Sequence, residues 1–95
     1  MTTTATQRLI IHGRVQGVGY RRWTVGTARR LGLNGWVRNK RDGTVEMVIS
    51  GDTDAIAKMQ LECARGPLAA KVSQVESIPF TGEMPEGFAQ LTTAD

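Results

Sequence analysis

The order of apolar and polar positions marks a short series of elements along the chain. Leu9-Ile10-Ile11 form an unbroken apolar run inside QRLIIHGR, and residues 7–14 read as a strand. Residues 15–20, VQGVGY, interrupt the pattern with glycines and read as a loop. From about Arg21 to Leu31 the spacing turns helical, with Trp23, Ala28 and Leu31 as the predicted buried positions and Gly32 as the stop. Leu33, Gly35, Val37 and Asn39 then share one face of a second strand, with Trp36 and Arg38 on the other. KRDGT comes next, and Asp-Gly between strand-like runs signals a hairpin because glycine supplies the positive φ such turns require. TVEMVIS is a third strand in which Val45, Met47 and Ile49 alternate. Residues 53–65 form a second helix: Asp52 or Thr53 caps it, Ile56, Met59 and Cys63 recur at helical spacing, and Gly66-Pro67 end it. A fourth strand falls near Ala70–Ile78, PFTGEMPEG is loop, and a last short strand uses Phe88 and Leu91.

The resulting order is β-α-β-β-α-β, which predicts an α+β, ferredoxin-like sandwich: an antiparallel sheet with two helices on one face. With 95 residues the chain suits one domain, placed at 7–95, and the polar start MTTTAT (1–6) reads as a flexible tail. No apolar run approaches the roughly 18 residues of a membrane span, and the start lacks a signal-peptide plan. The single cysteine, Cys63, excludes an internal disulfide and fits a reducing compartment. These features predict a cytoplasmic protein, with monomer as the default for its size. Such a fold hosts unrelated functions, so function has to come from a site.

Charge is the first pointer to one. Residues 1–41 carry nine Arg or Lys and no acid, whereas residues 42–95 carry three basic and nine acidic residues, leaving a net +3. That asymmetry points to an anionic partner for the basic part, the alternative being that the two parts neutralise each other across the folded surface. The loop ahead of the first helix supplies a place for it. Gly17, Val18, Gly19 and Tyr20 offer no capping oxygen to the first helical amides, so an anion can take the cap's role. Glycines let successive amides turn inward as a nest, and Arg21 adds a fork of donors matched to phosphate or carboxylate oxygens. Neither a Walker A pattern nor G-x-G-x-x-G fits; the latter would need glycine where Arg22 stands. Asn39 ends a strand just before a hairpin, where asparagine is a poor strand former and serves equally as a turn residue.

GRVQGVGYR (Gly13 to Arg21) and GWVRNKRDGTVE (Gly35 to Glu46) together closely resemble the two signatures of the acylphosphatase family, approximately G-x-V-Q-G-V-x-[FY]-R and G-W-V-x-N-x-x-D-G-x-V-E. The likeness runs from about Arg8 to Glu76 and includes Thr24, Ala28 and Leu31-Gly32-Leu33. It implies the β-α-β-β-α-β fold reached above from patterning. It also implies metal-independent hydrolysis of the carboxyl–phosphate bond of small acyl phosphates, releasing carboxylate and inorganic phosphate without a cofactor. By position, Arg21 would be the catalytic, phosphate-binding arginine and Asn39 the residue that orients the attacking water. The amides of Val15, Gln16, Gly17, Val18, Gly19 and Tyr20 would cradle the phosphoryl oxygens. Gly19-Tyr20 departs from the bulkier or Phe residues of many members, which predicts a looser loop. FAQLTTAD lacks the basic and aromatic character expected of the family's last strand.

The remaining residues are compatible with that chemistry. His12, in the first strand, and Cys63, on an apolar helical stripe, are read as structural, and no cluster has metal-ligand spacing. An RNA-binding module shares the element order, but it stacks bases on aromatic side chains of the third strand, where TVEMVIS has none; no nucleic acid or membrane partner is expected. A non-catalytic acyl or carbamoyl phosphate-binding module, as found at the start of larger hydrogenase-maturation proteins, is the principal alternative.

Overall fold

The computed structural model of the protein describes residues 3–94. Its elements are β1 (Thr4–Arg14), α1 (Tyr20–Arg30), β2 (Asn34–Asn39), β3 (Val45–Asp52), α2 (Thr53–Arg65), β4 (Lys71–Pro79) and β5 (Phe88–Gln90). They form one sheet in the order β4-β1-β3-β2-β5. Two differences from the sequence reading stand out. First, β1 begins at Thr4: Thr4, Ala5 and Thr6 pair with Asp52, Gly51 and Ser50, so half of the polar start that read as tail is strand. Met1 and Thr2 lie outside the described residues. Second, the sheet is mixed. The β1–β3, β1–β4 and β2–β3 pairs are antiparallel, but β5 runs parallel to β2, matching Gly35, Val37 and the residue between them to Phe88–Gln90. The crossing segment 80–87 makes this possible, because it carries the chain from β4 at one edge to β5 at the other.

Period-2 patterning decides which face is covered. Leu9 and Ile11 of β1, Val37 of β2 and Val45, Met47 and Ile49 of β3 are fully buried, and they meet Ile56, Met59 and Cys63 of α2 and Tyr20 and Ala28 of α1 in one core. The buried stripe of α1 is not the expected one. Thr24 and Thr27 are buried beside Ala28, while Trp23 and Leu31 only border the core. Burial of two threonines is tolerable because each hydroxyl donates to a carbonyl one turn back, Thr24 to Tyr20 O at 2.8 Å and Thr27 to Trp23 O at 3.0 Å. Asp52 caps α2, its Oδ1 accepting from the Asp54 amide at 3.2 Å. The β2–β3 turn is held by Lys40 N to Thr44 O at 2.9 Å and by Asp42 Oδ1, which accepts from the Thr44 amide at 2.9 Å.

The opposite sheet face contains a buried charge. Glu46 is 3% exposed, and its two carboxylate oxygens divide between two arginines. Arg8 Nε and Nη2 reach Oε2 at 2.7 and 2.6 Å, and Arg38 Nε reaches Oε1 at 2.7 Å while its guanidinium stacks 4.7 Å above the Trp36 ring. Burial alone would raise this carboxyl's pKa; the hydrogen bonds from Arg38 and then Arg8 outweigh it and hold the group below its ordinary 4.5. A folded-state pKa below the unfolded one stabilises the fold above pH 4.5, and that contribution disappears as pH falls through the lower folded value. Glu46→Gln is therefore expected to cost about 2 kcal/mol near neutrality, a figure reduced because both arginines are a third exposed. The cost should shrink as the wild type is titrated below pH 4.5; urea melts across pH 3–7 measure it, and a pH-independent difference would contradict the assignment.

Candidate active site

The segment between β1 and α1 is built to expose amides. Gly17 and Gly19 adopt φ of 73° and 78°, in the left-handed region where a Cβ is strained, and Gly19 serves as the N-cap of α1 without any side-chain cap. Among the described residues, the first amide after Gln16 to find a carbonyl is that of Trp23, bonded to Gly19 O at 3.0 Å; the amides of residues 17–22 have no backbone partner. No acidic residue occupies the first turn of α1, so the helix's positive end is uncompensated.

These amides border a cleft of roughly 130 Å³ lined by Val15, Gly17, Gly19, Tyr20, Arg21, Arg22, Asn39 and Gln90. Val15, Gly17 and residues 19–22 thus meet Asn39 and Gln90 from three separate stretches of sequence. Tyr20 contributes main chain only. Its ring is 1% exposed, packs 5.4 Å from the Trp23 ring, and donates its hydroxyl to Cys63 O at 2.7 Å, pinning α1 to α2. Burial, with the Cys63 contact adding to it, pushes the phenol far above its ordinary range, so it stays protonated. Val15 is likewise a core residue, 1% exposed.

Arg21 is half-buried in the lining, and its Nη1 donates to Leu91 O at 3.2 Å, just past the end of β5. A guanidinium has five donors, so one contact fixes its direction and leaves others for a ligand. Asn39 closes β2 opposite Val45 of β3, and its main-chain oxygen accepts from the Ala94 amide at 2.9 Å. Its side-chain Oδ1 is buried with no partner among the described residues. A buried acceptor left unpaired costs about 1–3 kcal/mol, which marks a position arranged for something other than stability.

Two residues of the expected cradle do not line the cleft. Gln16 turns its side chain away, Nε2 donating to Lys40 O at 2.7 Å and to Thr44 O at 2.9 Å. It therefore ties the loop to the β2–β3 hairpin and so sets the spacing between the amides and Asn39. Val18 packs against the core. Conversely, Arg22 and Gln90 line the cleft without having been singled out in the sequence. Helical position is a usable signal for Arg22, which falls in the first turn; Gln90 depends on the parallel docking of β5, which no local pattern announces.

His12 and Cys63 stay away from the lining, as expected. His12 Nε2 lies 3.3 Å from Glu76 Oε1, out of alignment for a hydrogen bond. The Cys63 thiol is fully buried, and burial pushes it up to about 12, so it is no nucleophile near neutral pH. Among the described residues no group of His, Cys, Asp or Glu is placed to hold a metal, and no helix is long and apolar enough to cross a membrane.

Fold and site together define a class: a ferredoxin-like α+β sandwich whose β1–α1 turn brings residues with unpaired amides and an arginine to one cleft. Comparison with known proteins gives the class its family. The acylphosphatase family model matches residues 7–89. An acylphosphatase of Nitrobacter hamburgensis is 47% identical over 93 residues, covering 92% of this chain and 94% of the relative. The structure of an acylphosphatase from Coxiella burnetii superposes with a TM-score of 0.88 at 32% identity, covering 93% of each chain. That of Bacillus subtilis acylphosphatase gives 0.88 at 30% identity, over 94% of this chain and 99% of the other. The chain belongs to the acylphosphatase family, and it is an enzyme that hydrolyses acyl phosphates to carboxylate and inorganic phosphate.

Proposed function

We propose that Arg21 and the amides of the β1–α1 loop hold the phosphoryl group and that Asn39 aligns the water that attacks it. The observation that carries this reading is the convergence, in one small cleft, of unpaired amides, a tethered guanidinium and the unpartnered Oδ1 of Asn39. The equatorial oxygens take hydrogen bonds from the amides and Arg21, which strengthen as charge accumulates on them in a loose transition state. Water donates one hydrogen to Asn39 Oδ1 and directs a lone pair at phosphorus, in line with the departing carboxylate. The new O–P bond forms as the P–O bond to the carboxyl breaks, and the electron pair leaves with the carboxylate. The leaving carboxylate has a conjugate acid of pKa about 4–5, judged from side-chain carboxyls, so it departs without a general acid. The water's remaining proton passes to a phosphate oxygen. No side-chain nucleophile, general base or cofactor enters the scheme, in keeping with the distance of Cys63 and His12 from the lining.

In this proposal the chain acts as a monomer, since one chain supplies every group of the cleft, and in the cytoplasm, where a lone free cysteine fits the reducing setting. An RNA-binding role is disfavoured because the residues of β1 and β3 on the face away from the helices, Arg8, Ile10, His12, Glu46, Val48 and Ser50, include no aromatic, and Trp36 of neighbouring β2 is already stacked under Arg38. The test is hydrolysis of benzoyl phosphate in the presence of excess chelator, with inorganic phosphate as competitor. Turnover with competitive inhibition supports the scheme. Binding of phosphate without turnover would support a non-catalytic module, and turnover that stops with chelator would overturn the metal-independent step.

A further inference from the structure

Of the two lining side chains that the mechanism above does not use, Gln90 and Arg22, the charged one is Arg22. It is exposed, stands in the first turn of α1 beside Arg21, and makes no hydrogen bond or ion pair with any described residue. Its neighbours define what it can meet. The amides and Arg21 hold the phosphoryl group in the proposed mechanism, so the acyl part of a substrate lies towards the open side of the cleft. There the apolar side chains turn away: Val15 and the Tyr20 ring belong to the core. What remains is polar or cationic, namely Arg21, Arg22, Asn39 and Gln90, and no Asp or Glu lines the cleft. Arg21 is already committed to Leu91 O and, in the proposed mechanism, to the phosphoryl group. A guanidinium that is unpaired among the described residues, in a lining without any Asp or Glu, favours a second anion at the mouth.

Resting on that functional reading, we infer that Arg22 is a specificity-determining residue, selecting acyl phosphates whose acyl group carries its own carboxylate, the monoacyl phosphates of short dicarboxylic acids. One anionic end sits in the amide cradle and the other pairs with the Arg22 guanidinium outside it. Because Arg22 is solvent-exposed, the pairing is modest and salt-sensitive.

Succinyl phosphate and butyryl phosphate make the comparison, since they have the same chain length and differ by the terminal carboxylate. The quantity read is the ratio of their kcat/KM values. The wild type is expected to favour succinyl phosphate about 2–5-fold at low ionic strength, the range of one exposed ion pair. The preference should narrow towards unity at 0.5 M salt. Arg22→Gln should bring the ratio to about one, Arg22→Lys should restore part of it, and Arg22→Glu should invert it. A ratio near one in the wild type overturns the inference, as does a preference that Arg22→Gln leaves intact. Equal loss on both substrates in Arg22→Gln also overturns it, because Arg22 would then act on the phosphoryl group alone. Absence of turnover on either substrate by the wild type would instead refute the functional reading, so the two failures are distinguishable.

Discussion

Arg21→Ala is expected to lower kcat/KM for benzoyl phosphate by about 10³-fold or more and to weaken competition by inorganic phosphate about 10²-fold. The first figure is that of an arginine removed from a phosphoryl-transfer site, and the second that of a lost charge-assisted, two-pronged contact. The effect is local. Arg21 is only half-buried and its side chain makes a single hydrogen bond among the described residues, to Leu91 O, so the variant should fold with little change in stability. Circular dichroism and a denaturant melt establish that before the kinetics are read. Arg21→Lys separates charge from geometry: an ammonium retains attraction but loses the planar fork, and most of the rate loss should persist. If inorganic phosphate inhibits Arg21→Ala as it does the wild type, the cleft's anion is held by other groups and the assignment fails.

Asn39→Ala should give the complementary result. Turnover should fall about 10²-fold, the loss typical of one positioned polar group that acts in the transition state, while the inhibition constant of phosphate changes less than twofold. That separation is what distinguishes a water-positioning residue from a phosphate ligand. The variant should also be at least as stable as the wild type, because it removes a buried acceptor that has no partner in the protein. A stability gain paired with a kcat loss is the signature of a group kept for function. An unchanged kcat removes Asn39 from the mechanism. A fall in phosphate affinity matching the fall in kcat would make it a ligand of the phosphoryl oxygens instead.

The elements were legible where the apolar period was clean and opaque where the pairing was long-range. Alternation at Val45, Met47 and Ile49 and the helical recurrence of Ile56, Met59 and Cys63 named the core directly. Thr4–Thr6 read as a tail because a polar stretch carries no burial signal. Pairing with the end of β3 makes it strand, and threonine suits a pleated surface. In α1 the apolar stripe pointed to Trp23 and Leu31, whereas Thr24 and Thr27 take the buried positions by bonding their hydroxyls within the helix. The parallel course of β5 is set by the crossing of segment 80–87, and three residues are too few to display a period. For the site, the two quoted stretches predicted the meeting of the glycine loop, Arg21 and Asn39 in one cleft. They did not separate residues that offer amides from residues that brace them. Gln16 belongs to the second kind, since its side-chain amide reaches two carbonyls that only the folded hairpin places together. Arg22 and Gln90 were missed for the same reason: their place at the cleft follows from tertiary docking.

The bond from Arg21 to Leu91 O joins positions seventy residues apart in the chain. A ribosome making this protein releases Arg21 long before it synthesises the carbonyl that restrains it, so a nascent chain with its glycine loop and first helix complete still has a guanidinium free to wander. Catalytic competence should therefore arrive only once the short parallel strand has left the ribosome and docked. Stalled chains of increasing length would resolve that step as a threshold in hydrolysis.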